Sequence, residues 1–266
     1  MRPGLKTKKS PDFDLVSPEN GETRSICTKI AKNACTDLTK PAKTCKIFPN
    51  VYTIINIGNF FGIFRDFETQ IKPLPAFNLN DIRNFDPDFH RPQLSDWINR
   101  EFIKPLAGGY YVLADSQMDE SLVFMLANLI YEPSYISRES ALAYYQIIPE
   151  SVLGVTSTSS RKTKQFNTQW GVFSYRSIKP SLMFGYIVIE KGQNTKFKIA
   201  RLEKAILDYL YWNPDLQSVE DLEGLRFNKD LISDLEDNTL FRKYLRIFNS
   251  KTLDRRVKIM MEYAHA

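Results

Sequence analysis

Apolar positions recur with one period before residue 130 and with another further on, and each change of period marks a new kind of element. From Ile54 to Ile71, Phe60, Phe64, Phe67 and Ile71 fall at helical spacing, and Lys72-Pro73-Leu74-Pro75 stops the pattern, which predicts a first helix. The run Asn78-Leu79-Asn80-Asp81-Ile82-Arg83-Asn84-Phe85 predicts a short second helix capped by Asn78 or Asn80. Pro92 suits a first helical turn, and Leu94, Trp97, Ile98 and Phe102 follow as an i, i+3, i+4, i+8 stripe, so a third helix buries one face. Ile103-Lys104-Pro105-Leu106, the turn Ala107-Gly108-Gly109 and Tyr110-Tyr111-Val112-Leu113 read as a hairpin. Three helices followed by a hairpin is the order of a winged helix-turn-helix.

Downstream, Leu122, Met125, Leu126, Leu129 and Ile130 form a stripe that predicts a connecting helix over Asp119 to Tyr131. Behind Pro133, Ser137 lies just ahead of Ala141, Leu142 and Tyr145 and reads as the start of another helix. The pattern then turns to strands at Val152 to Ser157, Gly171 to Ile178, Leu182 to Glu190 and Lys196 to Ala200. Thr158 to Lys164 reads as a polar loop between the first two. Leu202, Ile206, Tyr209 and Leu210 restore helical spacing, and helical patterns continue after Pro214 to a last helix behind Ser250. The expected fold is mixed α/β (α+β). Its parts are a basic tail over 1–50, a winged helix-turn-helix over 51–115, an α/β domain over 116–211 and a small helical part over 212–266.

Composition changes the picture at the ends. Residues 1–50 are rich in Lys, Thr, Ser, Pro and Asn and poor in large apolar residues, which predicts a disordered tail: a nucleic-acid arm or a solvated extension. Its Cys27, Cys35 and Cys45 match no zinc spacing, and His90 and His265 lie far apart, so no metal, cofactor or histidine-based catalytic centre is expected. Glu203 and Asp208 are five residues apart and read as surface charge rather than a catalytic pair; no enzyme is expected. No apolar run approaches the ~20 residues that span a bilayer, and the first thirty residues hold no signal-like apolar core; the expected location is the cytoplasm.

Charge separates the segments further. Residues 51–115 carry 6 cations against 8 anions, whereas residues 151–200 carry 8 against 1. On the third helix the polar face presents Arg91, Gln93, Ser95, Asn99 and Arg100, with Lys104 just beyond, side-chain types that bind base edges and phosphates. The segment's acidic balance leaves two readings open, DNA binding or a protein-interaction module. The loop cations Arg161, Lys162 and Lys164 read as a face for phosphate or for an acidic protein, or as lysines that protect a sheet edge.

An ordered series of short motifs carries a resemblance. Pro133-Ser134-Tyr135-Ile136-Ser137 with Ser140-Ala141-Leu142, then Ile148-Pro149-Glu150, Val155-Thr156-Ser157, Arg161-Lys162, Ile199-Ala200 and Glu203-Lys204-Ala205 resemble the AbiEi antitoxin family of abortive-infection toxin–antitoxin systems. The match covers roughly Val51 to Tyr211. It implies an autoregulatory transcriptional repressor, with operator DNA bound by a winged helix. It also implies an α/β antitoxin domain that counters a nucleotidyltransferase-like toxin, with a homodimer on DNA as one arrangement.

Overall fold

The computed structural model describes residues 64–149, 154–192 and 194–266, all within one compact unit, Asn59–Ala266. The expected tail, the first part of the first helix and Val152 lie outside the described residues. Among the described residues the fold is mixed α/β, with a three-stranded and a six-stranded sheet.

Helix α1 covers described residues 64–71. Strand β1 (Phe77–Asn78) leads into α2 (Leu79–Phe85), which opens on a reciprocal cap. Asn78 Oδ1 accepts from the backbone N–H of Asn80 at 2.7 Å and of Asp81 at 3.3 Å, and the Asp81 carboxylate accepts from Asn78 N–H at 2.8 Å. Helix α3 (Arg91–Asn99) has Pro92 in its first turn, and Gln93 Oε1 accepts from His90 N–H at 3.0 Å. Strands β2 (Ile103–Pro105) and β3 (Tyr110–Leu113) form an antiparallel hairpin, with β1 on the far side of β3. Gly108 and Gly109, at φ +64° and +84°, supply the left-handed backbone of its turn.

This hairpin is covered on both faces. Ile103 and Leu113 pair across the strands and point into a small aromatic core with Phe64, Phe67, Phe77, Phe89 and Trp97. Val112, on the other face, joins Leu106 and Ala76 in a larger core, and a Cβ at Gly108 would stand 3.4 Å from Ile130.

The larger core lies around the second sheet. Helix α4 (Glu120–Ile130) begins where Asp119 Oδ1 accepts from Leu122 N–H at 2.8 Å. The sheet comprises β4 (Ser134–Ile136), β5 (Val155–Ser159), β6 (Lys164–Thr168), β7 (Gly171–Ser177), β8 (Tyr186–Lys191) and β9 (Thr195–Ala200), in the order β6-β7-β5-β4-β9-β8. Pairs β7/β5 and β4/β9 are parallel and the others antiparallel. Alternation sends Ile136, Phe173, Tyr175, Phe197 and Ile199 toward α4, where the Tyr175 hydroxyl donates to Ala127 C=O at 2.6 Å. Tyr135 points to the opposite face, toward α6 (Leu202–Trp212). Helix α5 (Glu139–Tyr144) follows β4, and α7 (Val219–Glu223), α8 (Lys229–Ser233), α9 (Thr239–Phe248) and α10 (Lys251–His265) add Leu222, Ile232, Phe241, Phe248, Leu253 and Met260 to the same core. Ser250 caps α10, as its sequence predicts. Among the described residues no helix is long and apolar enough to cross a membrane.

Three local expectations change. Ser134–Ile136, expected as the approach to a helix, is a central strand, and the helix begins only after Arg138. The expected loop from Thr158 to Lys164 is shorter, because Thr158 and Ser159 complete β5 and Lys164 opens the edge strand β6. Leu182 closes a 3-10 turn, Pro180–Leu182, and its strand starts at Tyr186.

Candidate functional site

The outer side of α3 carries the first group of candidate residues. Leu94 and Trp97 are buried, while Arg91, Ser95 and Asn99 are exposed and four residues apart, so they form one line along the helix. Arg100 is exposed where the helix ends. Two candidates depart from this line. Gln93 is half-buried, and its side-chain oxygen is occupied by His90 N–H. Lys104 is half-buried opposite Val112 on the hairpin face that meets the larger core, not on the face of α3.

The second group is a pinned basic loop. Tyr131 OH donates to Lys162 C=O at 2.8 Å, and Ser159 Oγ accepts from Arg161 N–H at 3.1 Å while donating to Pro133 C=O at 2.7 Å. The Arg161 guanidinium lies 4.2 Å from the centroid of the Tyr131 ring and donates to Glu132 C=O at 3.0 Å. Lys164 Nζ stands 4.6 Å from the centroid of Phe166. Arg161 and Lys164 are therefore held over aromatic rings, and Lys162, exposed, is presented at the tip with its backbone fixed.

A third group escaped sequence reasoning. Lys204 and Asp208 of α6 have fully buried side chains and are paired through Lys204 Nζ and Asp208 Oδ1, so Asp208 is not the surface charge its sequence suggested. Asp208 Oδ2 accepts from Tyr135 OH at 2.9 Å and from Ser137 Oγ at 2.8 Å, and Lys204 Nζ donates to Tyr135 OH at 2.9 Å. Ser137 is thus a ligand of a buried carboxylate rather than a helix cap. The rings of Phe248, Phe184 and Tyr135 surround the ammonium with centroids at 4.8, 5.2 and 5.4 Å. Burial pushes the Lys204 amine below its ordinary pKa, with Asp208 opposing. Burial and the Asp208 charge together hold the Tyr135 phenol well above its ordinary value. Gly185 makes room for the pair, since a Cβ there would meet the Tyr244 ring at 3.0 Å and Lys204 Cβ at 3.1 Å. Glu203, one residue before Lys204, is half-buried and accepts from Asn238 Nδ2 at 3.0 Å.

The Lys204–Asp208 pair has no surface through which a substrate could touch it; it ties β4 to α6. One signal in the sequence pointed to it. A Lys and an Asp at i, i+4 sit inside a helix whose intervening residues, Ala205, Ile206 and Leu207, are all apolar. Among the described residues no group of three or more His, Cys, Asp or Glu side chains is arranged to hold a metal ion. No protein-family model matches the chain, and no match to a curated protein is found.

Proposed function

We propose that this chain is a DNA-binding antitoxin. In this reading it is a cytoplasmic repressor without catalytic activity. It holds an operator upstream of its own reading frame and counters a nucleotidyltransferase-like toxin from the same operon. The observation that carries this is the exposed line Arg91, Ser95 and Asn99 on α3, opposite Leu94 and Trp97 in the core. The order α1, β1, α2, α3, β2, β3 supports a winged helix-turn-helix, in which such a helix enters the major groove. The antitoxin part draws on the resemblance, whose first and last motifs converge: Tyr135 and Ser137 of one meet Lys204 of the other at Asp208.

Replacing Arg91, Ser95 and Asn99 together with Ala should abolish retention of upstream DNA in a gel shift and leave the thermal midpoint unchanged. Removing one good base contact weakens binding by about 1–3 kcal/mol. A normal gel shift from this variant overturns the DNA reading.

The acidic balance of residues 51–115 leaves room for further phosphate contacts from elsewhere, and the fixed basic loop supplies candidates. Changing Arg161, Lys162 and Lys164 to Gln should flatten the slope of log affinity against log salt by up to roughly 0.9 for every phosphate no longer neutralised, on operator and random duplex alike. An unchanged slope with lost toxin protection assigns the loop to the toxin instead.

A second reading rests on the hairpin. Its turn and one face are already packed against Ile130 and the larger core, so it does not stand free as a wing. In that reading the outer side of α3 contacts the toxin directly. The triple α3 variant would then lose toxin rescue while the parent protein shows no retention of upstream DNA.

A further inference from the structure

We infer that Arg138, Ser174 and Arg176 form a binding site for a phosphoryl group on the face of strands β5, β7 and β6 that points away from α4. Register fixes the layout. Ser174 lies between Thr156 on β5 and Gln165 on β6, and Arg176 follows two residues later on the same face, about 7 Å along the strand. Neither Ser174 nor Arg176 is buried, and Val172, on the same face, is 39% exposed, so this part of the sheet is open to solvent.

Arg138 reaches the same point from the end of β4. Its side chain is only 8% exposed, and Nη2 donates to Ser174 Oγ at 3.3 Å. Nη1 stands 3.5 Å from the Glu139 carboxylate, and Nε, fully enclosed, has no hydrogen-bond partner among the described residues. Arg176 has neither a hydrogen bond nor an ion pair among the described residues. Arg138 therefore meets the Ser174 hydroxyl and the Glu139 carboxylate, and Arg176 stands on the same face two residues further along β7. The hydrogen-bonding positions of Asp208 are occupied by Lys204, Tyr135 and Ser137. Burial lowers the pKa of the Arg138 guanidinium, and the neighbouring positive charge of Arg176 adds to the effect.

A buried, incompletely paired arginine is unfavourable unless an anion completes it. The backbone adds to the cost, because Arg138 sits at φ 56°, ψ −133°, a conformation that residues other than glycine seldom hold unless the surroundings impose it. That conformation directs the side chain onto Ser174 rather than into solvent. Two planar guanidinium forks on one face match a multiply charged phosphoryl group better than a singly charged carboxylate. Glu139 then acts as the resident anion that a phosphoryl group displaces.

The test is isothermal titration of inorganic phosphate into the full chain at low ionic strength. The parent should bind. Arg176→Gln should weaken binding at least tenfold with an unchanged thermal midpoint in phosphate-free buffer. Glu139→Gln should bind more tightly, a gain that a purely structural role for this carboxylate would not produce. Absence of phosphate binding by the parent, or equal binding by Arg176→Gln, overturns the site. A short random duplex added to the phosphate-loaded parent identifies the source. Displacement assigns the phosphoryl group to a nucleic-acid backbone, and retention assigns it to a small phosphorylated ligand; both uphold the site. Because none of these variants alters the outer side of α3, operator retention and phosphate binding can fail independently.

Discussion

Asp208→Ala is expected to lower the stability of the fold by about 3–5 kcal/mol, because it leaves the Lys204 ammonium buried without its counter-charge. The carboxylate accepts from Tyr135, Ser137 and Lys204, all of them buried, so none of the three gains water when it is removed. The double variant Lys204→Met, Asp208→Leu removes both charges and fills the space with apolar atoms. It should recover much of the loss, since a buried ion pair replaced by apolar groups of similar size is often nearly neutral. Denaturant unfolding of the parent, the single and the double variants reads the difference. A single variant within about 1 kcal/mol of the parent shows that the pair contributes little. A double variant no better than the single assigns the loss to packing around Gly185 and Phe248 rather than to charge.

How much of this was legible beforehand depended on whether one stretch of sequence contained all the information. Helix α3 was legible because its stripe, its Pro92 and its polar face are local. The hairpin was legible as a hairpin; its burial on both faces was not read, although the continuously apolar Tyr110-Tyr111-Val112-Leu113 is what a strand covered on both faces requires. Strand β4 spans three residues buried on both faces, too short to show any period, and it exists because β5 and β9 lie on either side. The burial of Asp208 could not be read locally. It depends on Tyr135 and Ser137, which are 73 and 71 residues away along the chain. Arg138 shows the same limit, since no side-chain pattern announces a left-handed backbone at an arginine. The exposed line on α3 and the place of the basic loop in the chain were therefore legible in the sequence. The network that holds β4 against α6, and the arginine pair beside it, required the fold.

Trp97→Ala is expected to cost about 3–5 kcal/mol and to act chiefly on the helical end of the molecule. Trp97 is 1% exposed at the centre of the small core, with ring centroids 4.7 Å from Phe67, 5.0 Å from Phe89 and 5.2 Å from Phe64. No side chain of comparable size remains to fill that space, because the small core contains few residues and its other aromatic rings already pack around the indole. The loss should not spread evenly. The hairpin is also anchored through Val112 and Leu106 to the larger core, whose sheet and C-terminal helices make no use of Trp97. Hydrogen exchange should therefore show reduced protection in α1, α2 and α3 while β4 to β9 keep theirs, and retention of upstream DNA should fall with the exposure of α3. Trp97→Phe separates volume from polarity. The indole Nε1 is buried without a hydrogen-bond partner among the described residues, so phenylalanine removes an unsatisfied donor while keeping much of the ring and should cost less than alanine. Uniform loss of protection across both cores in the alanine variant would show that the two cores unfold as one unit.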